Sequence, residues 1–132
     1  MKEELEKHYI FNEDRVTDWC DKCGDANPMH VDESAAEDSI FGKRTVPNMM
    51  ILDRVSGMLS QMAEDDEDVI LSNLAGIRFR DPIFFNEAVT INLDLHEKDK
   101  RTASFDLEVR VPERESLVVT GALTVVVKEG DN

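Results

Sequence analysis

The chain has 132 residues, a formal net charge of −14 and a hydrophobic content of 41%. This length suffices for one domain with a real core. The acidic excess argues against nucleic acid and acidic membranes as partners, because both are bound through clustered lysine and arginine. No stretch approaches the ~20 apolar residues of a membrane helix. No apolar signal region follows the charged N-terminus, so we expect a cytoplasmic protein.

The N-terminal region is predicted to form a short strand and then an amphipathic helix. Lys7–Phe11 combines aromatic and β-branched residues, and Asn12 is a suitable N-cap for a helix that runs to about Gly24. The apolar positions of this helix are Val16, Trp19, Cys20 and Cys23. Cys20 and Cys23 have the spacing of a redox motif, but they fall late in the helix, so we expect small, buried thiols. No other cysteine or histidine pair has zinc-ligand spacing.

The segment Gly24–His30 places a carboxylate, Asp25, and an imidazole, His30, five positions apart. Pro28 has no amide proton and is incompatible with the interior of a regular helix. One interpretation is a simple helix stop followed by a turn. The other is a fixed loop that carries an acid/base pair. In either case we expect Asn27 to brace the segment through side-chain to backbone hydrogen bonds.

A second helix is predicted from Pro47 or Asn48 to about Ala63. Apolar residues cover so much of its circumference that we expect it to be nearly surrounded by protein. Gly57 in its interior costs ~1 kcal/mol relative to alanine, which suggests a close backbone approach at that point. The acidic run Glu64–Asp68 is expected to be a solvated loop, since it lacks the glycine turn and regular spacing of a calcium-binding loop.

Beyond Val69 the hydrophobic pattern changes to a period of two, which is typical of strands. The predicted strands are Leu74–Arg80, Ala88–Leu95, Ala103–Val111 and Leu117–Val127. Strands that follow helices indicate one α+β domain over residues 1–132, in which an antiparallel sheet wraps a long central helix. The free sheet edges predict a homodimer, or a dimer of dimers. Residues 1–6 and 128–132 are expected to be flexible ends.

Four segments occur in an order and spacing that are typical of a known family. They are Phe11-Asn12-Glu13-Asp14-Arg15-Val16, Gly24-Asp25-Ala26-Asn27-Pro28-Met29-His30, Phe41-Gly42-Lys43-Arg44 and Ser56-Gly57. Over residues 10–127 the chain thereby resembles the MaoC-like (R)-specific enoyl-CoA hydratases, and the complete D-x-N-P-x-H motif is the most specific part. The resemblance implies a hot-dog fold, in which a sheet wraps a central helix and two chains form a dimer.

The resemblance also implies hydro-lyase activity. Water would add across the double bond of a trans-2-enoyl thioester of coenzyme A or acyl carrier protein to give an (R)-3-hydroxyacyl thioester, or the reverse, without metal or cofactor. The family's catalytic carboxylate matches Asp25 and its imidazole matches His30. We assign Asp25 to orient and deprotonate the water and His30 to complete the proton transfer, or the two roles reversed.

Supporting roles follow from the same resemblance. The family stabilises the developing enolate oxygen with the backbone amide of a glycine, and that position is Asn48 here. Its amide remains a possible donor, although Asn48 could equally be a plain N-cap. Ser56 matches a family serine near the catalytic aspartate, so it would hold Asp25 or, alternatively, bond a carbonyl four residues back.

Substrate-binding candidates are less specific. Met49 belongs to a set of helix methionines that would form either core or an adjustable acyl tunnel. The candidate ligands for coenzyme A phosphates are Lys43, Arg44, Arg78, Arg80 and Arg101. His8 and His96 have no acid partner placed by a motif and are expected to be structural or surface residues.

The sequence is compatible with two other functions. In a hot-dog acyl-CoA thioesterase, a carboxylate would activate water against the thioester carbonyl, which leaves His30 without a task. In a non-catalytic acyl-CoA-binding or assembly subunit, the altered segment around Asn48 would mark a lost oxyanion hole. The retained Asp25 and His30 pair argues against this second alternative.

Overall fold

The computed structural model describes residues 1–130, except for the side chain of Glu129. Its helices are α1 Glu13–Cys23, α2 Pro28–Val31, α3 Glu33–Glu37 and α4 Asn48–Met62. Its strands are β1 Glu4–Ile10, β2 Glu67–Phe79, β3 Ala88–Lys98, β4 Thr102–Val111 and β5 Ser116–Glu129. The strands form one antiparallel sheet in the order β1-β3-β4-β5-β2. The predicted α+β hot-dog architecture is confirmed.

The core lies between α4 and the sheet. Every second residue of β4 is buried, from Ala103 to Val111, and α4 contributes Met50, Val55 and Met58 to the same cluster. Each of these side chains larger than alanine stabilises the fold by roughly 1.5–3 kcal/mol relative to an exposed one. The alternation that predicted β4 from the sequence is therefore the alternation that fills the core.

The helix α4 is buried on one side and open on the other, which corrects the expectation that protein would nearly surround it. Met49, Asp53, Ser56 and Gly57 are exposed. A Cβ placed on Gly57 would meet nothing within 4 Å, so the close approach predicted there is absent from this chain. The apolar residues of α4 are numerous, but small and polar residues occupy one continuous side.

A close approach occurs at Gly121 instead. The strand β2 has a bulge between Ala75 and Arg78, and this bulge brings Ile77 over Gly121 of β5. A Cβ on Gly121 would lie 2.4 Å from the Ile77 Cδ1 atom and 3.0 Å from its Cα. Glycine at this position therefore permits β2 to bend over β5.

The chain ends and the acidic run are more ordered than expected. The strand β1 begins at Glu4, inside the expected flexible segment 1–6, and pairs with β3. The carboxylate of Glu67, at the start of β2, binds the Met1 amino group at 2.7 Å. At the other end, β5 extends to Glu129. Residues 131 and 132 of the expected flexible end lie outside the described residues.

Within residues 1–130, no helix is both long and apolar enough to cross a bilayer. The two cysteines are free thiols: Cys20 is buried, as expected, whereas Cys23 is exposed. Burial and the nearby Asp25 carboxylate raise the pKa of the Cys20 thiol above its usual range.

Candidate active site

The segment that carries Asp25 and His30 starts at the end of α1. Asn12 caps the start of this helix by accepting a hydrogen bond from the Arg15 amide. Gly24 ends the helix in the left-handed region, at φ 80°, and its amide donates to the Cys20 carbonyl at 2.9 Å. Such a glycine terminates a helix without steric strain and turns the chain sharply. Asp25 follows directly and is half-buried.

Local hydrogen bonds fix the segment from Asp25 to His30. The Asn27 amide donates to Asp25 Oδ1 at 3.1 Å, and Asn27 Oδ1 accepts from the Met29 amide at 3.1 Å. The predicted loop is in fact a loop followed by the short helix α2, because Pro28 takes the first helical position, where a missing amide proton costs nothing. His30 therefore lies on a helical turn that Asn27 caps.

Thr45 holds the imidazole of His30 through its backbone carbonyl and through its side-chain hydroxyl, which lies 3.3 Å from Nδ1. The Nδ1 atom donates to the Thr45 carbonyl at 2.6 Å. A carbonyl oxygen only accepts hydrogen bonds, so Nδ1 must carry a proton in this arrangement. The Nε2 atom is then the nitrogen through which His30 can exchange a proton with another molecule. Thr45 is itself buried, at 4% exposure, which makes it a rigid support.

Asp25 and His30 line the same cleft, which has a volume of about 410 Å³. The remaining lining residues are Phe41, Thr45, Val46, Pro47, Asn48, Met49, Phe79, Arg80, Asp81 and Pro82. The cleft thus joins α2 to the start of α4 and to the loop that follows β2. The motif of residues 25–30 predicted the wall that Asp25 and His30 form. Nothing in the local sequence pattern predicted that Thr45, Asp81 and Pro82 would also line the cleft.

The first turn of α4 borders this cleft. Pro47 is the N-cap and makes no side-chain capping bond, so the interpretation of Asn48 as a plain N-cap is wrong. Asn48 and Met49 occupy the first two helical positions, where amides have no intrahelical acceptor. Their amide protons have no hydrogen-bond partner within residues 1–130. They are therefore available to an anionic or developing negative oxygen.

The structure brings only one of the predicted phosphate ligands to the cleft. Arg80 lines it, and its Nε atom donates to Thr120 Oγ1 at 3.0 Å. Arg78 is an exposed residue of the edge strand β2, and Arg101 lies in the turn between β3 and β4.

Lys43 and Arg44 face a second hollow, next to Phe84 and Phe85. The Lys43 ammonium lies 4.1 Å from the Phe84 ring centroid, and the Arg44 guanidinium lies 4.7 Å from the Phe85 centroid. Arg44 also binds the Glu13 carboxylate at 2.9 Å. These contacts give both cations partners within the chain, so the five predicted cations do not form one cluster.

Ser56 lies away from Asp25, on the open side of α4. It lines an apolar groove of about 320 Å³ with Trp19, Leu52, Leu71 and Leu74. No hydrogen bond joins Ser56 to Asp25 among the described residues. Met49, which is 60% exposed, borders both this groove and the cleft.

The other histidines stand apart from the cleft. His8 Nδ1 lies 3.1 Å from Thr90 Oγ1, and His96 Nδ1 lies 3.4 Å from the Asp106 carboxylate. Both side chains are exposed. In the part of the chain that the structure describes, no group of three or more histidine, cysteine, aspartate or glutamate residues could hold a metal ion.

The fold and the cleft define a hot-dog domain with an Asp/His site, and comparison with protein families agrees. The family model of the MaoC-like domain matches residues 2–116. The chain therefore belongs to the MaoC-like domain family, which confirms the resemblance found in its sequence. A search of the curated proteins gives no significant match.

Solved structures share the fold at low sequence identity. The (R)-hydratase from A. caviae involved in PHA biosynthesis is 23% identical, with a TM-score of 0.82, over 94% of this chain and 93% of that one. The R-hydratase PhaJ1 from Pseudomonas aeruginosa is 18% identical, with a TM-score of 0.82, over 100% and 88%. A variant of the fluoroacetyl-CoA-specific thioesterase FlK is 9% identical, with a TM-score of 0.67, over 98% and 94%.

Proposed function

We propose that the protein hydrates trans-2-enoyl thioesters to (R)-3-hydroxyacyl thioesters, or catalyses the reverse dehydration. The observation that carries this proposal is one cleft lined by Asp25, His30, Asn48 and Met49. The Thr45 carbonyl leaves Nε2 of His30 free, and the amides of Asn48 and Met49 have no partner among the described residues. Hydration needs a base for water, a proton donor for C2 and donors for the thioester oxygen. The family and its (R)-hydratase neighbours support the same reaction.

The proposed chemistry assigns one task to each group. Asp25 accepts a proton from water as the water oxygen bonds to C3, and the thioester carbonyl takes up the negative charge. The amides of Asn48 and Met49 hydrogen-bond this oxygen. Protonated His30 then gives its Nε2 proton to C2, which restores the carbonyl, and solvent returns the proton from Asp25 to His30. No metal or separate cofactor takes part in this sequence, and coenzyme A enters only as part of the substrate.

The first experiment measures loss of enoyl absorbance from crotonyl-CoA and longer enoyl-CoA thioesters. Asp25→Asn should lose roughly 10²–10⁴-fold in kcat while its melting temperature stays near that of the wild type. Asp21→Asn, an exposed aspartate of α1, is the matched control and should retain activity. Wild-type protein that hydrates no enoyl thioester, or a fully active Asp25→Asn variant, contradicts the proposal.

A thioesterase is the second candidate, because FlK shares the fold. In that reaction Asp25 would direct water at the thioester carbonyl rather than at C3. A thiol reagent distinguishes the two: hydrolysis releases free coenzyme A thiol, whereas hydration consumes the enoyl group and releases none. Calorimetric binding of acyl-CoA without any turnover would instead indicate a non-catalytic subunit.

We also propose that two copies pair through the edge strand β2. Ile70, Leu71, Leu74 and Phe79 of this strand are exposed although they are large and apolar. Covering such an edge removes an aggregation hazard and buries apolar area. Light scattering should give the mass of a dimer, and Leu74→Lys should shift the protein toward monomer. A monomeric wild type contradicts this assembly.

A further inference from the structure

Arg114 fastens the loop that forms one wall of the cleft. It lies in the short 3₁₀ turn Pro112–Arg114, between β4 and β5, and reaches the loop of residues 81–87 that joins β2 to β3. Its Nε and Nη2 atoms donate to the two carboxylate oxygens of Glu87 at 2.7 and 3.1 Å. Its Nη1 donates to Asp81 Oδ2 at 2.5 Å, and Nη2 also donates to the Pro82 carbonyl. One planar guanidinium therefore binds both ends of the loop.

Further hydrogen bonds complete this network. Ser116 Oγ donates to Asp81 Oδ2 at 2.6 Å, and the Phe84 amide donates to Glu87 Oε1 at 2.7 Å. The hydrogen bond from Ser116, followed by that from Arg114, lowers the pKa of the Asp81 carboxyl. Burial alone would raise the pKa of Glu87, but the hydrogen bonds from Arg114 and the Phe84 amide bring it below its ordinary value. Both carboxylates are thus ionised partners of Arg114 at neutral pH.

The fastened loop supports the residue that holds His30. Its Ile83 carbonyl accepts the Val46 amide at 2.8 Å, and its Phe84 forms an isolated β-bridge with Thr45. The Thr45 carbonyl is the acceptor for His30 Nδ1. A continuous series of side-chain and backbone contacts therefore joins Arg114 to the imidazole, and it passes through the buried residues Ile83, Val46 and Thr45.

We infer that Arg114 is a positioning residue: by fixing the loop of residues 81–87, it keeps the Thr45 carbonyl against His30 Nδ1 and so reserves Nε2 for proton exchange. This inference rests on the proposed function and deepens it. Arg114 itself does not line the cleft, so it touches no reacting atom. Misplacement of a catalytic group by about 1 Å can cost 10²-fold in rate, which makes a remote support worth measuring.

A purely structural role for Arg114 would act through stability alone, so the variants separate stability from geometry. Arg114→Met leaves the carboxylate of Glu87, which is 20% exposed, without its cation and should destabilise the fold. Arg114→Met with Glu87→Met replaces the ion pair by apolar side chains, which often restores stability. It does not restore the bonds to Asp81 and Pro82. Arg110→Met is the matched control, because Arg110 pairs with Glu108 at 2.9 Å on an exposed part of β4.

The double variant should melt near the wild-type temperature and yet lose about 10- to 100-fold in kcat, with KM changed less than about threefold. Arg114→Lys keeps the charge but loses the planar fork, so it should stay folded with an intermediate kcat. If the double variant regains kcat together with stability, or Arg114→Lys keeps full kcat, the positioning role is wrong.

A second readout does not depend on turnover. The chain has 3 histidines, so ¹⁵N NMR can assign the His30 ring with one His30→Gln reference spectrum. Wild-type His30 should be the Nδ1–H tautomer when neutral, and the double variant should show a mixture of both tautomers. An unchanged tautomer in the double variant overturns the inference. If the wild type hydrates nothing but its tautomer still depends on Arg114, the proposed function fails while the positioning role stands.

Discussion

Met49 borders two hollows, of which one is about half polar and the other almost wholly apolar. The cleft contains Asp25, His30 and the free amides at the start of α4, and backbone hydrogen bonds hold each side chain in place. The groove on the open side of α4 is lined mainly by apolar side chains such as Trp19 and Leu74. Among the described residues, Asp53 and Ser56 are the polar members of its lining.

Because of this difference, we expect substitutions in the two hollows to change different kinetic quantities. Groups that are fixed before the reaction stabilise developing charge without reorganisation, so substitutions in the cleft should change kcat. Apolar contacts are non-directional and scale with buried area, so substitutions in the groove should change KM or assembly instead. An acyl chain that passes Met49, or a second copy of the chain, would both use the groove in this way.

The largest expected effect is in the cleft. His30→Gln removes the one imidazole among the described lining residues of the cleft and should lower kcat by roughly 10²–10⁴-fold, because the proposed proton donor to C2 is lost. Hydration of crotonyl-CoA measures the loss. His96→Gln, far from the cleft, should leave kcat unchanged.

Ser56→Ala is the matched change on the groove side and should alter kcat less than about threefold. A loss of tenfold or more in this variant would show that Ser56 affects the proposed reaction of Asp25. The separation between cleft and groove would then be wrong.

The wall of the groove depends on a close fit at Gly121. Gly121→Ala places a Cβ 2.4 Å from Ile77 Cδ1, and the backbone Cα of Ile77 leaves little room for relaxation at 3.0 Å. Overpacking of this kind destabilises by about 1–3 kcal/mol. Urea unfolding measures the change. A variant as stable as the wild type would mean that β2 moves freely at its bulge.

A substitution on the open side of α4 is expected to stabilise the protein, in contrast to Gly121→Ala. Gly57→Ala meets no atom within 4 Å and adds a better helix former. It should raise the free energy of unfolding by about 0.5–1 kcal/mol. The measurement also reports on assembly, because a second copy packed on this side would turn the gain into a loss. Repeating the unfolding at several protein concentrations separates the two cases.

Local signals explain why so much of the fold could be predicted from the sequence. Asn12 caps α1 through a bond to a residue three positions away, and the alternation of β4 follows from one strand facing one core. The start of α4 at Asn48 also agrees with the helix predicted from Pro47 or Asn48. Each of these features depends on side chains that are neighbours along the chain.

The supports of the site could not be predicted, because they join distant segments. His30 meets Thr45 fifteen residues away, and Arg114 meets Glu87 across 27 residues. The same reason explains why the predicted contact between Ser56 and Asp25 is not found. The position of Ser56 on the open side of α4 depends on how β2 lies beside the helix. The motif thus predicted the two polar side chains that line the cleft together, Asp25 and His30, and only the tertiary structure revealed how His30 is oriented.

The smallest expected effect is a pH dependence of stability behind the cleft. Glu87 has a pKa below its ordinary value of 4.5, and Asp81 has one below its ordinary value of 3.8, so the folded protein binds fewer protons than the unfolded chain in mild acid. Their contribution is fully present above the ordinary values and is lost as the pH falls through the lower, folded values. The melting temperature should therefore drop between about pH 6 and pH 3.

The drop should be shallower in the double variant Arg114→Met with Glu87→Met, because the carboxylate of Glu87 is gone and that of Asp81 has lost its cation. Arg110→Met should follow the wild-type curve, since its exposed pair contributes little. Equal slopes in all three proteins would mean that the loop of residues 81–87 is held by its backbone contacts alone.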